Sequence, residues 1–117
     1  MINRVILMGR LGKDPEVKRL ENGKIVAKLN LATNEIYQKD GVRHEVTEWH
    51  NLEMWDKQAE FAEKYLMKGR IIYIEGKIRT EKYIDAQGID RQFKKIRVSS
   101  LQVIDVQGKD KIVTPSE

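Results

Sequence analysis

Apolar and polar residues alternate in short stretches broken by glycine, asparagine and aspartate, the pattern of a β-rich chain. Asn3 to Leu11 is mostly apolar and predicts a strand, with Gly9 and Gly12 marking a bend or bulge near its end. Lys13 to Gly23 predicts a basic connector closed by Asn22-Gly23, a tight-hairpin pair. From Lys24 to Thr33 the period is two: Ile25, Ala27, Leu29 and Leu31 share one face, and Val26, Lys28, Asn30 and Ala32 the other. Asn34 to Val46 is polar, contains Asp40-Gly41, and predicts a long hairpin loop. Thr47 to Trp55 alternates again, with Thr47, Trp49, Asn51, Glu53 and Trp55 opposite Glu48, His50, Leu52 and Met54. Over residues 57–68 the spacing turns helical, with Asp56 as the expected N-cap, an apolar stripe of Ala59, Ala62, Tyr65 and Leu66, and Gly69 as the stop. Arg70 to Arg79 predicts a strand, Thr80 to Gln92 a loop around Gln87-Gly88, and Phe93 to Asp105 the last strand. A domain over residues 1–106 is then followed by a short polar segment, 107–117.

Five strands with one helix between the third and fourth is the layout of an all-β OB-fold, a small Greek-key barrel. The same element order also permits a five-stranded α+β sandwich. At 117 residues the chain has room for one domain, and 40% apolar against 34% charged residues suits a packed core rather than disorder. No apolar run approaches the roughly 20 residues of a membrane span. The opening Met1-Ile2-Asn3-Arg4 lacks the layout of a signal peptide, and a cytoplasmic protein is expected. With no cysteine, disulfides, thiolate metal sites and cysteine nucleophiles are excluded. The net charge of +4 is modest, but its distribution says more. Residues 1–33 carry seven Lys/Arg against three Asp/Glu, residues 34–63 three against eight, and residues 77–97 seven against three. Two basic arms flank an acidic middle, which points to a polyanionic partner or to ordinary solvated surface.

Trp49 and Trp55 are an even six residues apart, so both rings leave the same face of one strand, about 20 Å from each other. Asn51 and Glu53 lie between them, which predicts a wet face where exposed rings serve to stack on something. Tyr37 and Tyr83 sit in the two expected loops, the second after Lys77, Arg79 and Lys82. Rings set among cations suit single-stranded nucleic acid, whose bases stack for roughly 1–3 kcal/mol each while lysine and arginine hold phosphates. Each ring also has a plain packing role open to it, and Phe61 and Phe93 fit either. Catalysis finds little support. Gly9-Arg10-Leu11-Gly12 lacks the spacing of a phosphate loop, and His44 and His50 have no partners at metal-ligand spacing. The carboxylates Glu45, Glu48, Glu53 and Asp56 could serve a metal nuclease only if something organised them. No enzyme activity, metal or cofactor is expected.

Several segments are more specific: Asn3-Arg4-Val5-Ile6-Leu7-Met8-Gly9-Arg10-Leu11-Gly12, Asp14-Pro15-Glu16-Val17, Leu31-Ala32-Thr33, Thr47-Glu48-Trp49-His50, Tyr65-Leu66, Lys68-Gly69, Tyr73-Ile74-Glu75-Gly76 and Arg79-Thr80. Together and in this order they make residues 2–105 resemble the bacterial-type single-stranded DNA-binding proteins. The resemblance implies an OB-fold, usually a homotetramer, that coats single-stranded DNA in replication, recombination and repair, at the nucleoid. It aligns the family's base-stacking positions with Tyr37, Trp49, Trp55 and Tyr83, and its phosphate contacts with Arg4, Lys57, Lys68, Arg79 and Lys82. Tyr37 and Tyr83 are often tryptophan or phenylalanine in relatives, so weaker stacking is expected there. The resemblance places His50 in a contact between subunits, whereas the strand pattern alone makes it a half-buried core residue. The pattern itself supports assembly only through the apolar edge of residues 2–8 and the face of Tyr73. Members of the family continue into a long tail with an acidic, apolar tip. Here the sequence reads Thr114-Pro115-Ser116-Glu117, so tail-dependent repair and replication partners are not expected. Two other readings remain, an accessory primosomal OB protein and an RNA-binding OB module.

Overall fold

A computed structural model describes residues 1–104, and its elements run β1 (Val5–Leu11), β2 (Glu16–Arg19), β3 (Ile25–Lys39), β4 (Val42–Trp55), α1 (Lys57–Tyr65), β5 (Ile71–Ile84) and β6 (Asp90–Val103). The expected segment 107–117 lies outside the described residues. Five strands close on themselves in the order β1-β5-β6-β4-β3, and a second pairing of β1, now with β3, completes the barrel. The helix stands between the third and fourth barrel strands, so the architecture is the five-stranded OB-fold barrel. The alternation in the sequence becomes its interior. Leu29, Leu31, Leu52, Met54, Ile72, Ile74, Val98 and Leu101 are all at most 4% exposed. α1 covers the barrel with Ala59, Phe61 and Ala62.

Three parts of the chain differ from the expected pattern. Residues 16–19, expected to be connector, form β2, which pairs antiparallel with β3 from Glu16↔Lys28 to Arg19↔Ile25. Only Val17 of β2 packs against the core, so its alternation is too short to read. The two expected loops are β-ribbons. β3 and β4 stay paired from Val26↔Trp55 out to Lys39↔Val42, and β5 and β6 out to Ile84↔Asp90. The first ribbon turns through Asp40 (φ 54°) and Gly41 (φ 76°), the double positive φ of a type I′ hairpin. In the second turn the Asp85 carboxylate accepts from the backbone N–H of Gln87 (2.9 Å) and Ile89 (3.0 Å) and from Arg91 Nε (2.9 Å). Arg91 and these N–H groups hold that carboxyl below its ordinary range.

The helix is also shorter than its spacing suggests. It ends at Tyr65, because Leu66 turns extended (φ −96°, ψ 143°) to reach the core and is 4% exposed. The chain then hooks onto β1, with Lys68 N–H donating to Asp14 Oδ1 (2.8 Å) and Gly69 N–H to the Leu11 carbonyl (2.9 Å). Phe61 takes the buried place expected of Tyr65, which is 37% exposed. Asp56 makes no side-chain cap; its Oδ1 accepts from Ile25 N–H (3.2 Å) and ties the end of β4 to the start of β3.

The strand β1 changes partner along its length. Val5 to Arg10 pair with β5, and Arg10 and Leu11 pair with Ala32 and Leu31 of β3. At this crossing a Cβ on Gly9 would collide with the Ala32 backbone carbonyl, which cannot move aside without breaking the ladder. Gly9→Ala is therefore expected to lower the unfolding free energy by about 1–3 kcal/mol, the usual cost of overpacking. Urea titrations of both proteins check this, and an unchanged midpoint would show that the crossing tolerates a methyl group.

Candidate nucleic-acid interface

β4 and β6 are parallel and pair only at Leu52↔Ile96 and Glu53↔Arg97. Before that rung each strand belongs to its own ribbon, so a cleft opens where the ribbons part. Two cavities of about 240 and 210 Å³ mark its base, and Asn51 and Lys95 line both. The charge split of the sequence maps onto the two ribbons. Lys77, Arg79, Lys82, Arg91, Lys94, Lys95 and Arg97 all stand on β5–β6, whereas Glu35, Glu45 and Glu48 stand on β3–β4.

The face assignment within β4 holds, with one correction. Leu52 and Met54 are 2% and 0% exposed, and Trp49 is 58% exposed. Glu53, expected on a wet face, is buried at 6%. It tolerates burial because its carboxylate is fully partnered. Oε1 accepts from Trp55 Nε1 (2.8 Å), and Oε2 pairs with Lys95 Nζ (2.5 Å), which also reaches Glu81 (3.5 Å). Burial opposes ionisation of Glu53, but the bonds from Lys95 and Trp55 and the charges of Lys95 and Arg97 outweigh it and hold the carboxyl below its usual value. Lys95 shows the converse. Burial disfavours its charge, yet the pairing with Glu53 and Glu81 raises its pKa.

Trp55 is consequently half-buried and fixed. Its N–H is bound to Glu53, its backbone is opposite Val26, and the Arg97 guanidinium stands 5.6 Å from the ring centre, a cation–π arrangement. Trp49 is held differently, by the Gly12 backbone. A Cβ at Gly12 would run into the six-membered ring of Trp49, so the absent side chain is the seat for that indole. Tyr37, 47% exposed on the β3–β4 ribbon, stacks on His44 with ring centres 5.1 Å apart and an interplanar angle of 17°. Strict alternation puts it on the side of β3 that carries Leu29 and Leu31 nearer the barrel. Tyr83, 48% exposed on β5, meets Phe93 edge-on at 6.1 Å. Trp49 lines one cavity of the cleft and Phe93 the other, with Tyr83 beside Phe93, while Trp55 stands past the β4–β6 rung and Tyr37 further out along its ribbon.

The expected cations are more dispersed. Arg79 is exposed on β5 opposite Lys95, and Lys82 is exposed opposite Gln92. Lys57 is the exposed first residue of α1, and Lys68 is exposed on the hook between α1 and β5. Arg4, just before β1, is ion-paired with Glu75. His50 is half-buried, with Nε2 2.9 Å from Thr33 Oγ1. Tyr73 is half-buried on β5 beside Met8, which is 58% exposed. Lys95, Arg97 and Gly12 carry no site role in the sequence pattern, and Glu53 figures there only as a solvated residue between the tryptophans and as one of four scattered carboxylates. The roles of Glu53, Lys95 and Arg97 depend on the parallel β4–β6 rung and that of Gly12 on the closure of the chain after β1 against β3, and neither leaves a mark on spacing within a strand. No set of three or more His, Asp or Glu side chains among the described residues clusters to hold a metal, and no helix among them is long and apolar enough to cross a membrane.

Residues 2–104 match the family model described as the Single-strand binding protein family. Two Neisseria meningitidis proteins, of serogroups A and B and each called single-stranded DNA-binding protein, are 48% identical to this chain over 91 residues, 77% of it and 52% of each relative. The chain thus spans about half the length of the curated relatives it matches. The solved structure of a Plasmodium falciparum SSB complex with ssDNA superposes with a TM-score of 0.81 at 32% identity, covering 90% of this chain and 96% of that one.

The Glu53–Trp55 bond gives a pH-dependent signal. The fold favours ionised Glu53, so its stabilising contribution is present above the carboxylate range and is lost as pH falls through the lowered pKa. The NMR resonance of the Trp55 indole N–H should stay constant as pH falls past the usual glutamate value of 4.5 and shift only below it. A midpoint at or above that value would contradict the pairing.

Proposed function

The chain belongs to the single-strand binding protein family, and from that premise we propose that it binds and coats single-stranded DNA without sequence preference. The observation that carries this reading is the pair Trp49 and Trp55 on one face of β4, beside a β5–β6 ribbon that is basic. Bases stack on Trp49, Trp55 and Tyr83, with Tyr37 as an outlying fourth platform, and the phosphates follow the cations of the β5–β6 ribbon. Arg79 and Lys82 belong to that track, and Lys57, Lys68 and Arg4 extend it. Arg4 must exchange Glu75 for a phosphate to take part. Duplex DNA offers these rings no open base face.

The same reading gives the chain a second copy of itself as partner. β1 leaves an unpaired edge over Val5–Gly9, and Ile6 (54% exposed) and Met8 (58%) form an apolar surface with Tyr73. A self-complementary contact through this sheet, to which the family resemblance adds His50, is the first step toward a homotetramer. The setting is DNA replication, recombination and repair in the cytoplasm, at the nucleoid, and the protein acts by binding rather than by catalysis.

Titration with oligo-dT should quench the tryptophan emission, since Trp49 and Trp55 are the only two. Duplex of the same length should not. Five phosphate contacts per chain give a slope of log K against log salt of about −3.5, falling to about −2.8 if Arg4 stays with Glu75. Unchanged emission or a flat salt response would overturn the reading, and tighter binding of oligo-U than oligo-dT would move the substrate to RNA.

Two substitutions separate the faces of β4. Trp49→Ala should cost roughly 1–3 kcal/mol of oligo-dT affinity while changing stability by under about 1 kcal/mol, as at an exposed site. Met54→Ala should cost about 2–5 kcal/mol of stability through a core cavity, with the folded fraction binding normally. Thermal melts and titrations on both variants check the pair, and exchanged phenotypes would invert the face assignment.

A further inference from the structure

The two tryptophans are about 20 Å apart along β4, so a strand stacked on both must pass over what lies between them. There the smaller cavity, of about 210 Å³, opens against Asn30, Asn51, Glu53, Phe93 and Lys95. It lies below the roughly 300–1,000 Å³ of pockets that hold drug-sized ligands, a size for one ring system rather than a whole nucleotide. Its charges are largely spent on each other. Lys95 is paired with Glu53 and Glu81, and Lys13 at the rim with Glu16 (2.8 Å). Lys28 is the one lining cation without an ion-pair partner among the described residues. A phosphate entering the cavity would meet two carboxylates whose countercharges are already committed, whereas a neutral group meets no such penalty.

Besides the Lys28 ammonium, the polar atoms left open are those of a cross-strand amide pair. Asn30 and Asn51 face each other in the β3–β4 ladder, and Asn30 Nδ2 donates to Asn51 Oδ1 at 3.0 Å. This bond uses one N–H of Asn30 and one lone pair of Asn51, and leaves Asn30 Oδ1 as an acceptor and Asn51 Nδ2 as a donor. Every nucleobase carries a neighbouring donor and acceptor on its Watson–Crick edge, and rotation of both amides exchanges the two roles. Phe93, half-buried on β6, adds an aromatic wall.

We propose that this cavity is a nucleobase subsite, in which a base lying between those on Trp49 and Trp55 packs against Phe93 and hydrogen-bonds to the Asn30–Asn51 pair. The proposal rests on the single-stranded DNA reading above. It adds a base contact that uses hydrogen bonds yet accepts any base, because the amide pair presents either polarity.

The test compares the wild type, Asn51→Ala and Phe93→Ala, each confirmed as folded by thermal melts, on oligo-dT, oligo-dC and an abasic oligomer of the same length. Asn51→Ala should weaken oligo-dT and oligo-dC alike by roughly 3- to 10-fold, the loss of a net hydrogen bond, and leave the abasic affinity unchanged. Phe93→Ala should weaken both by roughly 5- to 100-fold, as for a lost stacking partner, again sparing the abasic oligomer. Variants that bind oligo-dT like the wild type, or lose affinity equally on the abasic oligomer, would remove the subsite and leave the general reading standing. A wild type that fails to bind oligo-dT, or binds it no better than the abasic oligomer, would overturn both.

Discussion

At Gly9 two strands approach so closely that the Ala32 carbonyl occupies the space of a side chain. This contact lets β1 leave β5 and join β3 at Arg10 and Leu11, and without it the sheet would have two open edges instead of a closed wall. Closure explains why the interior is so complete for a small protein. Leu31, Met54, Ile72 and Ile74, from three of the barrel strands, are all 0% exposed. It also fixes which way each strand faces. A barrel wall has one inside, so every residue of the opposite parity is delivered to the outside, and on β4 that outside carries Trp49, Asn51, Glu53 and Trp55.

The outer face would be a loose platform but for Glu53. A carboxylate beneath the surface is costly unless each of its oxygens has a partner, and here one holds an indole N–H and the other a lysine. The ion pair is not a large source of stability in itself. Its effect is to lock a tryptophan that would otherwise have two rotatable bonds of freedom, so that less side-chain order must be gained on binding. Trp49 reaches the same end by another route, seated on a glycine. Two rings on one strand are thus prepared by unrelated means, one polar and one steric.

What could be read in the sequence was whatever has one side wet and one side dry. The alternation of Lys24–Thr33 and Thr47–Trp55 showed strands, and its phase placed Leu52 and Met54 inside and Trp49 outside. The β3–β4 ribbon beyond the barrel escaped this reading because residues 34–49 are exposed on both faces, and backbone ladders leave no hydropathy signal. Asp40-Gly41 signalled the turn but not how far the pairing reached. Asp56 had the residue type of a cap yet is drawn to a backbone N–H of β3. Glu53 read as solvated because its partners, Lys95 and Arg97, come from a strand some forty residues on. His50 is half-buried on β4, with its ring nitrogen against the Thr33 hydroxyl.

The parallel junction of β4 with β6 has two rungs, against the long ladders within each ribbon. Mechanically the molecule is therefore a pair of stiff levers sharing a short pivot. The β3–β4 lever extends ten residues past the pivot (Val42–Asn51) and the β5–β6 lever six (Asp90–Lys95), roughly 33 and 20 Å at the rise of a β-strand. A twist of about 5° at the pivot would carry the longer tip through about 3 Å and the shorter through about 2 Å, while the buried rows of the barrel hardly shift. Jaw width at the tips can thus adjust to a guest of varying thickness at little expense to the core, a compliance that comes from having so few hydrogen bonds in one place.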